Sequence, residues 1–165
     1  MQMLVVSNTS PVSNLAIIGR LALLRARYGR VLIPPMVRAE LDALTHEGGR
    51  SRIEETLEEG WLKVEPLPDS ARMQRLPDVL DPGEVEAIQL CFFLSADKLI
   101  IDDALGRAAA RALGLRITGL LGELVFGKHA GTIPSVKAEI IRLRTEARFF
   151  VSGEIEALIL RAAEE

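Results

Sequence analysis

The segment Lys98-Leu99-Ile100-Ile101-Asp102-Asp103 runs directly into Ala104-Leu105-Gly106-Arg107-Ala108-Ala109, and no other stretch constrains the fold of this chain as tightly. A short apolar run, rich in β-branched residues, stops at two carboxylates, and an alanine-rich helical pattern starts at once. Such a run bounded by a turn reads as a buried strand, and in a parallel α/β sheet the turn after it delivers polar residues to the carboxyl edge, where these folds bind ligands. Leu4-Val5-Val6-Ser7-Asn8-Thr9-Ser10-Pro11 repeats the design with an asparagine at the turn.

The rest of the 165 residues alternates in the same way. After a first strand over 3–6, Ser10 reads as a helix cap and Pro11 as the first helical residue, with the helix running to Ile18. A second helix spans 21–28 and ends at Gly29. A buried strand over 31–33 is stopped by Pro34-Pro35, and a helix over 36–44 places Val37, Leu41 and Leu44 on one face. A polar loop is expected over 46–50, a charged helix over 53–59, and an edge strand over 61–64. Residues 66–80 carry three prolines and read as an irregular stretch. Asp81-Pro82-Gly83-Glu84 combines a cap, a proline at the first position and an acid at the third, a strong start for a helix running to Leu94. Strands over 99–101 and 115–117 bracket a helix over 103–113. Helices over 119–128 and 135–148, and a last one opened by Ser152-Gly153-Glu154, complete the chain. This order predicts an α/β/α sandwich of three layers around a mainly parallel sheet. A single domain over 1–165 is expected, with C-terminal helices in 133–165 packed on it.

Bulk properties narrow the function. Apolar residues make up 48% and charged residues 26%, a composition typical of globular proteins. Arg, Asp or Gly interrupts every apolar run well short of a membrane span, and no secretory leader is visible, so the cytoplasm is the expected compartment with no membrane partner. The single cysteine, Cys91, excludes an internal disulfide and a cysteine-based zinc site, and His46 and His129 fall outside any ligand spacing. A net charge of −3 argues against a protein that coats DNA electrostatically. Arginines nevertheless cluster at Arg20, Arg25, Arg27 and Arg30 and again at Arg107, Arg111 and Arg116.

Five residues are expected to converge on the carboxyl edge: Asn8 after the first strand, Glu40 in the helix after the second, Glu84 in the first turn of the helix before the fourth, and Asp102 and Asp103 after that strand. Hard divalent cations take such oxygen ligands, and magnesium commonly keeps several waters and one or two carboxylates. Two such ions, about 3.5–4 Å apart, can activate a water and steady the leaving oxygen of a phosphodiester. Each residue also has an ordinary reading. Glu84 completes a capping box, Asp102 or Asp103 caps the next helix, Glu40 is a helix glutamate, and Asn8 bonds its own backbone in a turn. Thr9, Ser10 and Thr118 add hydroxyls at the same edge, as caps or as supports for water or phosphate. No Walker or G-x-G-x-x-G motif accompanies them.

The chain resembles the PIN domain, a family of metal-dependent nucleases that includes the toxin ribonucleases of prokaryotic toxin–antitoxin pairs. The resemblance lies in Ser7-Asn8-Thr9-Ser10-Pro11, in Ile33-Pro34-Pro35-Met36-Val37-Arg38-Ala39-Glu40-Leu41, and in Asp81-Pro82-Gly83-Glu84-Val85-Glu86-Ala87-Ile88. Leu99-Ile100-Ile101-Asp102-Asp103 and Gly114-Leu115-Arg116-Ile117-Thr118-Gly119 complete it. It implies a central parallel sheet of about five strands and an acidic pocket for Mg2+ or Mn2+. It also implies homodimers and, in many members, a small antitoxin protein partner. Carried over by position, the family's acids fall at Asn8, Glu40, Glu84 and Asp102, with Asp103 competing for the last place, and Thr9, Ser10 and Thr118 take the supporting places. Asn8 departs from the pattern, which has an aspartate there. Asparagine keeps a carbonyl oxygen for a metal but loses the charge and cannot accept a proton as a base.

The function expected from these readings is metal-dependent endoribonuclease activity on single-stranded RNA, as the toxin of a toxin–antitoxin pair, leaving 5′-phosphate and 3′-hydroxyl ends by family analogy. The alternative is a catalytically silent or weakened PIN-like domain that binds RNA or protein, because of Asn8. Aromatic residues are only 4% of the chain, which predicts few stacking platforms and little sequence readout. Leu120, Leu121, Leu124, Val125, Phe126, Phe149 and Phe150 either complete the core or support a dimer.

Overall fold

The computed structural model of the protein describes residues 2–73 and 76–165. Strands β1 (Val5–Ser7), β2 (Val31–Ile33), β3 (Leu62–Val64), β4 (Lys98–Ile100) and β5 (Ile117–Thr118) form one sheet in the order β3-β2-β1-β4-β5. All pairings are parallel, with Val6 opposite Leu32 on one side and Leu99 on the other. The expected parallel α/β sheet is present, and β3 lies at its edge. Among the described residues nine helices surround it: α1 (Thr9–Ile17), α2 (Ala22–Tyr28), α3 (Pro35–Asp42), α4 (Glu47–Glu59), α5 (Pro82–Phe93), α6 (Ala104–Ala112), α7 (Leu120–His129), α8 (Val136–Glu146) and α9 (Gly153–Ala162).

The chain steps outward from β1 through β2 to β3, then crosses back to β4 and β5. Parallel strands are joined by right-handed crossovers as a rule, and a chain that steps both ways along the sheet then covers both faces with helices. The strand order reverses at β1, and such a reversal opens a crevice at the carboxyl ends of the strands. Val5, Val6, Ile33, Leu99 and Ile100 are buried, as strands covered on both faces must be. α5 packs across β1 and β4 and against α3 and α6, which brings its N-terminus to that crevice.

Two helix starts differ from expectation. α1 begins at Thr9 with Asn8 as its N-cap, so Ser10 is not the cap and Pro11 is the third helical residue. Proline is tolerated there because the first N–H groups of a helix have no acceptor within it. α4 begins at Glu47, inside the expected 46–50 loop. The His46 ring accepts from Gly49 N at 2.8 Å and caps the helix. Gly49, which propensity reads as a breaker, is selected by packing, because an added Cβ would lie 3.1 Å from Ile17 and 3.2 Å from Leu44. The irregular stretch over 66–80 holds one 3-10 turn, Asp69–Ala71; Gln74 and Arg75 lie outside the described residues. β5 falls at Ile117–Thr118, slightly later than the 115–117 expected. No helix among the described residues is long and apolar enough to cross a membrane.

Candidate functional site

β1 and β4 end side by side, linked by Asn8 N donating to Ile100 O at 2.9 Å. A cleft of about 620 Å³ opens beside these ends, and Asn8, Thr9, Ser10, Glu40, Glu84, Asp102 and Asp103 all line it. The predicted residues thus share one hollow, except Thr118, which lines a neighbouring cavity. Asp81, read from the sequence only as a cap, also faces the cleft, as do Ser13, Phe149 and Phe150.

Asn8 is 4% exposed, and its Oδ1 has no hydrogen-bond partner. A buried amide oxygen left unpaired costs roughly 1–3 kcal/mol. The turn reading of Asn8 is not what the structure shows, because its side chain makes no capping bond.

Glu40 reaches the cleft from α3. Its carboxylate accepts from the Thr9 hydroxyl and from Gly83 N, the latter at 3.0 Å. A Cβ at Gly83 would land on that carboxylate, so a larger residue here would push the end of the Glu40 side chain aside.

Glu84 completes the capping box of α5. Its own N–H donates to Asp81 Oδ1 at 2.8 Å, and its Oε2 accepts from Asp81 N at 3.3 Å. Capping explains its place in the chain but not its electrostatics. Glu84 is 7% exposed, and burial, with the charges of Asp81 and Asp103 beside it, pushes its carboxyl up to about 7.

The two adjacent aspartates divide their work. Asp103 caps α6, accepting from Gly106 N at 3.0 Å. Asp102 instead accepts from Leu120 N at 2.8 Å, at the start of α7, and lies 3.5 Å from the Ser10 hydroxyl. Burial raises the Asp102 carboxyl above its ordinary value, against the Leu120 N–H, the nearby Arg107 and Ser10, which pull it down. Arg107 is held by its own bond from Nη1 to Ile101 O at 2.8 Å.

Among the described residues no three His, Cys, Asp or Glu side chains come together closely enough to hold an ion. The donor set still suits a hard divalent cation. It is made entirely of oxygens, it includes the unpaired Asn8 carbonyl, and it crowds carboxylates whose repulsion a cation would relieve. One or two carboxylates with water completing the shell is ordinary for magnesium.

The chain matches the model of a family described as PIN domain (DUF3368) over residues 4–165. Among solved structures it is similar to a PilT N-terminus domain protein, SSO1118, from the hyperthermophilic archaeon Sulfolobus solfataricus P2. That likeness has a TM-score of 0.58 at 20% identity and covers 81% of this chain and 96% of the other, and it speaks for the fold alone. No curated protein matches the chain.

Proposed function

Because this chain belongs to the PIN-domain family, whose members are generally nucleases, we propose that it is an endoribonuclease that hydrolyses phosphodiesters of single-stranded RNA with Mg2+ or Mn2+. The observation that carries this reading is the shared cleft of Asn8, Glu40, Glu84, Asp102 and Asp103 at the carboxyl edge. When bound, the cations lower the pKa of an attacking water and neutralise charge on the leaving oxygen. The protein's part is to hold oxygens ready. Leu120 N–H fixes one oxygen of Asp102, the capping box fixes Glu84, and Asn8 offers a carbonyl with no competing donor. Thr9 and Gly83 fix Glu40 so that its carboxylate stays on the cleft wall.

The same reading extends to a toxin of a toxin–antitoxin pair, working in the cytoplasm as a homodimer restrained by a small antitoxin protein, on the strength of the family resemblance. Purified protein with Mn2+ is expected to cut a mixed single-stranded RNA pool, leaving 5′-phosphates. Asp102→Asn and Glu84→Gln are expected to slow cutting by about 100-fold, equivalent to about 2.7 kcal/mol of barrier. RNA left intact by both the natural protein and Asn8→Asp overturns the proposal.

A second reading rests on Asn8, which supplies a neutral carbonyl where the family pattern carries an aspartate. It is a catalytically silent PIN-like domain that binds RNA or protein. Calorimetric titration separates the two, since a silent domain takes up no Mn2+ that Glu84→Gln abolishes.

A further inference from the structure

We propose that the cavity adjoining the acid cleft is a nucleotide subsite, where Phe150 stacks on a base of single-stranded RNA and Arg107 contacts the neighbouring phosphate. The inference deepens the nuclease reading by naming where the strand lies beyond the scissile bond. The cavity measures about 510 Å³, within the range of ligand pockets, and it shares Asp102, Phe149 and Phe150 with the cleft. The two hollows therefore adjoin at Asp102 and the two phenylalanines.

Gly119 sits at the seam. An added Cβ there would lie 2.8 Å from Asp102 Oδ1 and 2.9 Å from Arg107 Nη1. Glycine thus lets the last acid and the first cation stand together. This juxtaposition matters because the cleft presents five carboxylates to a polyanion, while the adjoining cavity presents a guanidinium suited to bidentate phosphate contact. Phe149, Phe150 and Ile155 give the same cavity an apolar lining. Phe150 is 85% exposed, so its ring spends little of its surface on the core. Only five phenylalanines occur in the chain, and two of them border the cleft. Low aromatic content thus hides a local concentration where it would serve stacking. A second copy of the chain would account for the aromatic wall but not for the guanidinium beside it. A nucleotide satisfies both halves.

The test reads binding, not cutting. A fluorescein-labelled RNA decamer, and a decamer of the same length with every base removed, are titrated with the full chain in Ca2+ by anisotropy. Phe150→Ala is expected to weaken the decamer about tenfold, as loss of one base–aromatic stack does, and to change the abasic strand by less than about twofold. Arg107→Gln keeps a donor for Ile101 O. It is expected to weaken both strands and lower the slope of log affinity against log salt by about 1. Equal affinities for Phe150→Ala and the natural protein overturn the proposal, as does an equal loss on both strands or an unchanged salt slope in Arg107→Gln. A dimer that Phe150→Ala dissociates in light scattering, with RNA affinity unchanged, also overturns it and assigns the face to a second copy. Binding with the expected pattern but no cutting with Mn2+ refutes the nuclease reading alone. Cutting by the natural protein together with equal RNA affinity in Phe150→Ala refutes the subsite alone.

Discussion

Carboxylates inside the fold and carboxylates at the carboxyl edge of the sheet have partners that differ in kind. Glu123, 1% exposed, accepts from Tyr28 Oη at 2.6 Å and from Arg27 Nη1 at 3.0 Å, tying α7 to α2. Glu139 meets Arg20 at 2.6 Å and Arg142 at 3.4 Å, tying α8 to the turn before α2. At the carboxyl edge, Glu40, Glu84, Asp102 and Asp103 are held by backbone N–H groups and hydroxyls, and among the described residues none of them forms an ion pair. The contrast separates structural acids from available ones. A carboxylate matched by arginine has its charge answered within the chain. One positioned by neutral donors has no cation answering it within the chain and is left for a cation from outside.

The largest effect that sharpens this comparison is on stability. Arg27→Ala leaves Glu123 buried beside a phenol and without a cation, and is expected to cost about 3–5 kcal/mol in urea denaturation. Asp102→Asn is expected to change stability by under about 1 kcal/mol, because it removes a charge that burial already disfavours and that no ion pair answers. Similar costs for the two would erase the distinction.

Next in size is a pH effect. The Glu84 carboxyl titrates at about 7 in the folded chain, above its unfolded value near 4.5. Between those values the folded chain holds a proton that the unfolded chain has released, so stability falls as pH rises through that window. Metal-free protein is expected to lose about 2 kcal/mol between pH 5 and 7 from this group, and Glu84→Gln to lose that dependence, as read by melting at each pH. An unchanged slope in Glu84→Gln would place Glu84 with the neutralised acids.

The smallest expected effect comes from Asn8→Asp, which adds a charge at the buried, unpaired position. Mn2+ affinity measured by calorimetry is expected to rise about tenfold, equivalent to 1.4 kcal/mol. Weaker uptake would show that the neutral carbonyl is what this site requires.

What could be read from the sequence was whatever depends on near neighbours. The apolar runs before Asn8 and Asp102 announced two strands and their polar turns, and four residues, Asp81 to Glu84, announced a helix start together with one cleft acid. The start of α4 stayed hidden because histidine is an unusual cap and because Gly49 answers to Ile17 and Leu44 across the fold. The split between Asp102 and Asp103 was equally closed to inspection, since the Leu120 N–H that claims Asp102 lies 18 residues on. Glu123 and Glu139 gave no sign of burial, because Arg27 and Arg20 reach them from 96 and 119 residues away. Phe149 and Phe150, grouped with residues for core or dimer, proved to border the cleft. The sequence was therefore a better guide to which acids gather than to what each acid touches.

Glu40 has a consequence for how this protein should be dissected. Its one carboxylate receives the Thr9 hydroxyl from α1 and the Gly83 amide from α5 while itself standing on α3, so it works as a clasp joining three helices. Truncating it would let those helices drift, and the lost turnover would resemble the removal of a reacting group. Only a replacement that preserves the clasp while altering its charge, such as Glu40→Gln with its fold verified, can tell an architectural contribution from a chemical one.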